Sequence, residues 1–363
     1  MKPILVGLSI VLMACTVRAQ PALQTDNVIL ITLDGLRWQE LFYGADEDLI
    51  GDENFVVDTD ALKARFWDDD AEARRKKLMP FFWSVIAKQG QIHGNRMHGS
   101  RVNVTNNFWF SYPGYNEILT GSRDDRIVSN DMIANPNITV LEHINRRPDF
   151  AGSVAVFGSW DVFPYIINEQ RSGIPVNAGF RPAENDDLSA REEFLNELQP
   201  QVPSPWATVR LDAFTHHYAK EYLEKYSPRL IYIAYGETDD FAHDGEFDQY
   251  LNSANQTDAF IADIWDWAQS KAQYRDATTM IITTDHGRGT QPTGAWKDHG
   301  TDVEGSDQIW FAVMGPDTEP LGEISTTGQH YQNQFARTVA AFLGVDFDGD
   351  GKAGELIDAV IDR

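Results

Sequence analysis

The chain has 363 residues and a formal charge of −25 at pH 7, with 42 % hydrophobic and 12 % aromatic residues. This apolar content is sufficient for a packed core and excludes a disordered chain, and the length allows one large α/β domain or two ordinary ones. The acidic balance excludes a general nucleic-acid-binding surface, which requires a basic footprint.

The first residues predict a targeting segment over residues 1–19. Lys2 precedes an apolar stretch over residues 3–14 that is too short to span a bilayer as an anchor. Two processing sites compete, a preferred cleavage site ending at Ala19 and a lipobox-like run ending at Cys15. We therefore expect an exported protein, periplasmic or secreted, whose membrane contact is limited to a lipid anchor at Cys15. This residue is the only cysteine, so the folded part has neither disulfides nor thiolate ligands.

Strand-like apolar runs alternate with helical stretches along the rest of the chain, and neither a repeat nor a linker divides it. The alternation predicts a doubly wound, mostly parallel α/β sheet with helices on both faces. We expect a single domain over residues 20–363. The predicted strands are Val28–Leu33, Ser153–Phe157, Leu230–Tyr235, Met280–Thr284 and Ile309–Met314. The predicted helices are Met79–Gln89, Leu211–Lys225, Ser253–Lys271 and Phe335–Leu343.

Two stretches predict insertions that cap the edge of the sheet. Residues 46–70 are acidic and irregular, and residues 181–205 are polar with a short helix around Ser189–Leu198. Segments of this kind often carry substrate choice in enzymes, although solvated loops without a role fit the pattern equally well.

Three of the predicted strands end in side chains that bind metals. Asp34 follows the first strand, Asp239 and His243 follow the third, and Asp285 and His286 follow the fourth. The carboxyl ends of strands form the ligand-binding edge of an open α/β sheet, so we expect these side chains to lie close together. The four-residue spacing of Asp239 and His243 places them on one face of a helical turn.

His299 and Ser111 complete the set of candidates. His299 lies on a loop that we expect to return to the same edge of the sheet. A set of oxygen and imidazole ligands suits zinc, manganese or iron. Pro113 and Gly114 suit a turn into a short helix, which would place Ser111 near a helix N-terminus, where amide groups favour anions. Coordination to a metal is one way to lower the pKa of the Ser111 hydroxyl and make it a nucleophile.

Together these segments resemble the alkaline phosphatase superfamily, and most closely its type I phosphodiesterase/nucleotide pyrophosphatase branch. The motifs that carry the resemblance occur in the family's order: Leu33-Asp34-Gly35-Leu36-Arg37, Ser111-Tyr112-Pro113, Leu119-Thr120-Gly121, Asp239-Asp240-Phe241-Ala242-His243, Thr284-Asp285-His286-Gly287 and His299-Gly300. The resemblance implies two divalent metal ions, zinc or alternatively manganese. One ion would be bound by residues matching Asp34, Ser111, Asp285 and His286. The other would be bound by residues matching Asp239, His243 and His299.

The same resemblance implies an alkaline-phosphatase-like fold and an exported metal-dependent hydrolase of phosphate esters. The implied substrate is a small-molecule phosphodiester or phosphomonoester, cleaved through a phosphoseryl intermediate on Ser111. A nucleic-acid polymer is not expected as a partner. The preferred ester and the oligomeric state do not follow from the sequence.

The residues after Ser111 depart from the phosphodiesterase pattern. That branch usually has threonine followed by Phe-Pro-Asn-His, whereas Gly114 and Tyr115 replace the Asn-His pair here. Asn116 and Asn107 are candidates for the missing phosphoryl donor. The run also resembles the sulfatase signature Ser/Cys-x-Pro-x-Arg, but Tyr115 stands at the arginine position, which argues against conversion of Ser111 to formylglycine. A sulfuric ester hydrolase is therefore the alternative function, and a non-catalytic metal-binding relative is a less favoured one.

Three further features are expected to be structural. The run Asp346–Lys352 resembles the first half of an EF-hand loop, but Ile357 stands where that loop needs a bidentate acid, so we expect an acidic solvated turn. His216 and His217 lie in a helical stretch rich in aromatic residues, where packing or exposure is expected. Asp240 neighbours the predicted ligand Asp239 and is expected either to support it or to be a turn residue.

Overall fold

The computed structural model of the chain describes residues 23–362. The targeting segment predicted over residues 1–19, including Cys15, lies outside the described residues. In the described part of the chain, none of the helices has both the length and the apolar character that crossing a bilayer requires.

An eight-stranded sheet forms the centre of the molecule, with the strand order β10-β2-β9-β7-β1-β6-β4-β5. Its strands are β1 (Asn27–Leu33), β2 (Gly90–His93), β4 (Val154–Gly158), β5 (Val176–Ala178), β6 (Leu230–Tyr235), β7 (Thr278–Thr283), β9 (Phe311–Met314) and β10 (Gly322–Glu323). A smaller sheet has the order β11-β3-β8, formed by Gly328–Tyr331, Ser100–Asn103 and Gln308–Ile309. In the large sheet, β9 runs antiparallel to both of its neighbours and the other pairings are parallel.

Helices cover both faces of the large sheet. They are α1 (Trp38–Tyr43), α2 (Thr59–Phe66), α3 (Ala71–Leu78), α4 (Ala87–Gln89), α5 (Ser111–Thr120), α6 (Val140–Asn145), α7 (Phe163–Ile166), α8 (Glu169–Ser172), α9 (Ala190–Leu198), α10 (Asp212–Tyr226), α11 (Glu237–Asp244), α12 (Phe247–Ser270) and α13 (Phe335–Phe342). A π-helical segment covers Phe82–Ile86, and 3₁₀ turns cover Arg96–His98, Gln199–Gln201, Thr293–Lys297, Gln332–Gln334 and Asp358–Val360.

The two faces of β1 contribute to different hydrophobic cores, because successive side chains of a strand point to opposite faces. Ile29 and Ile31 pack in the core beneath α10 and α12, whereas Val28 and Leu30 pack in the core beneath α5 and α13. A strand buried on both faces reads as a continuous apolar run, which is the pattern seen in the sequence. The predicted α/β class with helices on both faces is confirmed.

Local differences from the predictions have identifiable causes. The predicted helix Met79–Gln89 is interrupted by the π-helical segment. The predicted strand Ile309–Met314 is two strands, because the chain passes from the small sheet to the large one at Trp310. Residues 46–70 are not wholly irregular, since α2 forms there with its N-terminus capped by the Asp58 carboxylate.

Candidate metal centre

The carboxyl ends of three central strands meet at one edge of the sheet. β1 lies between β6 and β7 and is parallel to both, with Leu33 opposite Tyr235 and Thr32 opposite Thr283. Every residue of these three strands is buried. The segments that follow them therefore leave the sheet side by side, as predicted from the sequence.

The first cluster consists of Asp34, Asp285 and His286, whose ligand atoms all lie within 4.8 Å of one another. His286 Nε2 lies 3.3 Å from Asp34 Oδ1 and 3.5 Å from Asp285 Oδ2. Both of these carboxylate oxygens are buried and have no hydrogen-bond partner in the described part of the chain. Burying such oxygens without a partner is costly, so this donor set fits a bound cation.

The protonation of His286 also reflects the carboxylates around it. Burial by itself lowers the pKa of His286, but Asp285, Asp34 and Asp239 outweigh this effect and raise the pKa to about 9. Burial raises the pKa of Asp285 well above its usual value, with a further contribution from Asp34. His286 Nδ1 lies 2.9 Å from the carbonyl oxygen of Gly287, so an Nδ1–H donating to that carbonyl leaves Nε2 facing the carboxylates.

The second cluster consists of Asp239 and His243 on α11 together with His299. His243 Nε2 lies 3.3 Å from Asp239 Oδ2, and His299 Nε2 lies 3.7 Å from Asp239 Oδ1. The two imidazole Nε2 atoms are 2.9 Å apart. Two imidazoles and a carboxylate that converge on one point form a donor set suited to a divalent cation. The loop bearing His299 returns to the sheet edge, as expected.

The two clusters adjoin each other. His286 Nε2 of the first cluster lies 3.7 Å from Asp239 Oδ1 of the second, and the rings of His286 and His299 have centroids 4.0 Å apart. His243 is the most open member, with 43 % of its side chain exposed, whereas His286 is fully buried. The site is therefore closed on the side of the first cluster and open on the side of the second.

Ser111 begins α5 and lies against the first cluster. Its Oγ is 3.5 Å from His286 Nε2, and the side chain is almost wholly buried. The seven residues predicted as ligands are thus brought to one site: Asp34, Ser111, Asp239, His243, Asp285, His286 and His299. Their action as metal ligands, and that of Ser111 as nucleophile, stays a prediction.

The first turn of α5 makes two contacts that the sequence did not predict. Tyr115 is fully buried and its hydroxyl donates to Asp34 Oδ2 at 2.7 Å. Gly114 lies against the backbone of Asp285, so that a Cβ at this position would be 3.0 Å from the Asp285 carbonyl carbon and nearer still to its oxygen. The only local signal was the spacing of Ser111 and Tyr115, since residues four apart share a helix face.

A buried arginine connects the second cluster to the loop that carries His299. The Arg288 guanidinium contacts Asp239 Oδ1 and donates to the carbonyl oxygens of Trp296 and Lys297. For Asp239, burial favours the neutral acid, but Arg288 and the histidines outweigh it and hold the pKa well below its usual range. This buried side chain therefore supports a predicted ligand.

Of the two asparagines considered as phosphoryl donors, Asn116 is fully buried, and its side chain donates to the carbonyl oxygen of Ser122. Asn107 is exposed, and its backbone carbonyl oxygen accepts from Thr301, so its side chain stays a candidate donor. Asn130 was not foreseen. Its Oδ1 accepts from the backbone amide of Tyr112, the residue after Ser111.

Two other features singled out in the sequence, the acidic run near the C-terminus and His216, lie outside the two clusters. The run Asp346–Lys352 forms a turn beyond the C-terminal end of α5, and in the described residues its aspartates do not form a metal-binding group. His216 is buried, stacks on Phe260 and lies between Tyr235 and Asp263, so it is a packing residue as expected.

Comparisons with known proteins identify the class. The family model described as Sulfatase matches residues 114–345, well over half of the chain. The chain belongs to the sulfatase family, within the alkaline phosphatase superfamily. Members of this superfamily are hydrolases of sulfate or phosphate esters, and the chain is a hydrolase of that class. The matched range includes the second cluster, Asp285 and His286, and it begins after Asp34 and Ser111.

Solved structures share the fold at low sequence identity. Wild-type alkaline phosphatase PafA aligns with a TM-score of 0.62 and 10 % identity, covering 95 % of this chain and 100 % of that one. The phosphonate monoester hydrolase SpPMH from Silicibacter pomeroyi aligns with a TM-score of 0.55 and 14 % identity, covering 92 % and 76 %. BT1596, a 2-O GAG sulfatase, gives a TM-score of 0.54 and 12 % identity, covering 92 % and 73 %. No curated protein sequence matches the chain. The nearer likeness to the phosphodiesterase branch stays a prediction.

Proposed function

We propose that the protein is an exported hydrolase of small-molecule phosphate esters that uses two divalent cations and Ser111 as its nucleophile. The position of Ser111 carries the proposal. Ser111 is the first residue of α5, and its Oγ lies 3.5 Å from His286 Nε2. The hydroxyl therefore lies beside the two adjoining clusters of carboxylate and imidazole donors.

The donor atoms favour zinc, with manganese as the alternative, because they are oxygen and imidazole nitrogen without thiolate. The first cluster together with Ser111 would hold one ion, and the second cluster would hold the other. The unpartnered buried oxygens of Asp34 and Asp285 support this assignment. Bound divalent ions would lower the pKa of the nearby hydroxyl and offset the negative charge of the phosphoryl group.

The chain's own residues supply the nucleophile and its orientation. Ser111 Oγ loses its proton to solvent and attacks phosphorus, forming an Oγ–P bond while the bond from phosphorus to the leaving oxygen breaks. The departing alkoxide takes up a proton from solvent and leaves as the alcohol. Water then cleaves the Oγ–P bond, which releases the phosphate product and restores the hydroxyl of Ser111.

Two features near Ser111 suit an anionic phosphoryl group. Because α5 begins at Ser111, its helix dipole places partial positive charge beside the Ser111 hydroxyl. Asn130 Oδ1 is engaged by the amide of Tyr112, while its side chain is solvent-exposed. The Nδ2 group of Asn130 would therefore be available to donate to a phosphoryl oxygen.

The insertion over residues 46–70 would influence substrate choice. Phe55 from this segment packs edge-on against Trp296, with ring centroids 5.6 Å apart, on the loop that leads to His299. Residues 181–205 pack instead on α10, where Asn196 accepts from Tyr218 and Glu192 accepts from Lys225. We assign substrate contact to the first insertion and a structural role to the second.

A sulfate ester is the alternative substrate, and the match to the sulfatase family supports this alternative. Tyr115 at the arginine position of the sulfatase signature argues against it.

The test is to assay the zinc-loaded mature protein on p-nitrophenyl phosphate, bis-p-nitrophenyl phosphate and p-nitrophenyl sulfate. We expect cleavage of a phosphate ester that is lost with a chelator. Dominant sulfate cleavage would reject the proposal in favour of the alternative.

The nucleophile is tested with Ser111→Ala. We expect phosphoesterase turnover to fall by at least about 10³-fold, because the reaction loses its covalent step, while two metal ions per chain are retained. Ser122→Ala, just past the C-terminal end of the same helix, is the control and should keep its activity. Retained turnover in Ser111→Ala would reject the nucleophile.

Export and domain organisation are part of the same proposal. The apolar run after Lys2 would direct export of a single catalytic domain over residues 20–363. The mass of the protein recovered from a bacterial host would show cleavage after Ala19 or a lipid on Cys15. Full-length unmodified protein in the cytoplasm would reject export.

A further inference from the structure

We propose that Tyr115 is a positioning residue for the first cluster, holding the Asp34 carboxylate so that Oδ1 faces the cation. The inference rests on the proposed function, because it requires that this cluster binds a cation. Tyr115 Oη donates to Asp34 Oδ2 at 2.7 Å. The other oxygen, Oδ1, is buried without a hydrogen-bond partner in the described residues and points toward His286 Nε2, 3.3 Å away.

The Asp34 backbone is fixed independently of this contact. Its amide donates to the carbonyl oxygen of Tyr235, and its carbonyl oxygen accepts from the Thr238 hydroxyl. These bonds set the position of the residue but leave the rotation of its carboxylate about the side-chain bonds free. The Tyr115 hydroxyl is the contact that selects one rotation, so its effect falls on carboxylate orientation and not on the strand.

Tyr115 itself has little freedom. The side chain is fully buried, and its ring packs against Phe163 with centroids 4.9 Å apart. Ser111 and Tyr115 are four residues apart on α5 and so share a face. One helical turn therefore places both the nucleophile and the group that orients a ligand. Any displacement of α5 would move the two together.

Outer partners of metal ligands typically contribute about 10–100-fold in metal affinity. Tyr115→Phe removes only the hydroxyl and keeps the ring packing against Phe163. We expect it to weaken binding of one of two Co²⁺ ions by about 10–100-fold and to change the visible absorption of bound Co²⁺. Phosphoesterase activity should fall at limiting metal and recover at excess metal, a recovery that a general folding defect would not show.

Tyr232→Phe is the matched control. Tyr232 is also fully buried in the core beneath α5, but its hydroxyl pairs with Thr32 Oγ1 at 2.9 Å and forms no hydrogen bond with a predicted ligand. This variant loses a buried hydroxyl of the same kind and should bind Co²⁺ with wild-type affinity and spectrum. Equal weakening in both variants would overturn the positioning role.

A double-mutant comparison covers the case in which Tyr115→Phe lowers stability. In an Asp34→Asn background, adding Tyr115→Phe should have no further effect on Co²⁺ binding, because its effect passes through the carboxylate. A full additional loss there, or a wild-type Co²⁺ titration for Tyr115→Phe alone, would overturn the inference. A wild-type protein that binds no Co²⁺ would instead reject the proposed metal-dependent function.

Discussion

Substituting Gly114 with alanine, which adds a single methyl group, should lower catalytic activity while the protein stays folded. A Cβ added there would lie 3.0 Å from the carbonyl carbon and 3.3 Å from the Cβ of Asp285, and closer still to the carbonyl oxygen. Optimal carbon–carbon contacts lie at about 3.5–4.0 Å, so Gly114→Ala requires α5 and Asp285 to separate by roughly 0.5–1 Å. The two nearest atoms belong to the backbone carbonyl of Asp285, which cannot rotate away as a flexible side chain would.

The effect on stability should be small, because two contributions oppose each other. Overpacking costs about 1–3 kcal/mol, whereas alanine is favoured over glycine within a helix by about 1 kcal/mol. The net destabilisation is then about 0–2 kcal/mol. The effect on catalysis should be larger, since a misplacement of about 1 Å at a reacting group can cost about 10²-fold in rate.

The measurement compares kcat/KM on the preferred p-nitrophenyl phosphate ester with the denaturant midpoint of the same sample. We expect a fall of about 10²-fold in kcat/KM, with a folded protein of near-native stability. Gly328→Ala is the control, because Gly328 is not among the glycines held at positive φ and an added Cβ would meet only one atom, 4.0 Å away. Wild-type kcat/KM in Gly114→Ala would refute the close packing of α5 on Asp285 as a catalytic requirement.

Three other predictions follow from separate parts of the structure. Arg288→Lys removes the guanidinium that donates to the buried carbonyl oxygen of Trp296 and to the partly buried one of Lys297. Leaving a buried acceptor without its donor costs about 1–3 kcal/mol, so amide exchange over residues 293–299 should accelerate, whereas exposed Arg123→Lys should leave it unchanged. Burial raises the pKa of Asp258 to about 7, although the backbone N–H groups of Phe81 and Phe82, which donate to its carboxylate, lower the pKa. The folded state therefore holds more protons than the unfolded state between about pH 4 and pH 7. Stability should fall across that window by up to about 1.4 kcal/mol per pH unit relative to Asp258→Asn, and parallel pH profiles of the two proteins would contradict this assignment. Removal of metal by a chelator should lower the unfolding free energy by about 2.7 kcal/mol for each site held at 100-fold above its dissociation constant, and an unchanged melting temperature would show that neither cluster binds an ion.

Local sequence patterns were sufficient to predict the fold class and the candidate ligands. Strands buried on both faces give continuous apolar runs, and the parallel arrangement brings their carboxyl ends to one edge. Asp239 and His243 converge because a helical turn brings residues four apart together. These relations depend on spacing along a few residues, so the sequence by itself determined them. The position of His299 was harder to predict, because its loop is brought back to the sheet edge by tertiary contacts and not by local spacing.

The supporting contacts were decided only by the tertiary structure. Tyr115 reaches Asp34 across 81 positions of the chain, and Arg288 reaches Asp239 across 49. Asn116 follows Tyr115 directly, yet it turns away from the site, because adjacent residues on a helix point in directions about 100° apart. Which face of α5 meets the sheet is set by packing between distant segments. Candidate ligands can therefore be predicted from strand ends, whereas the residues that contact those candidates depend on how helices pack on the sheet.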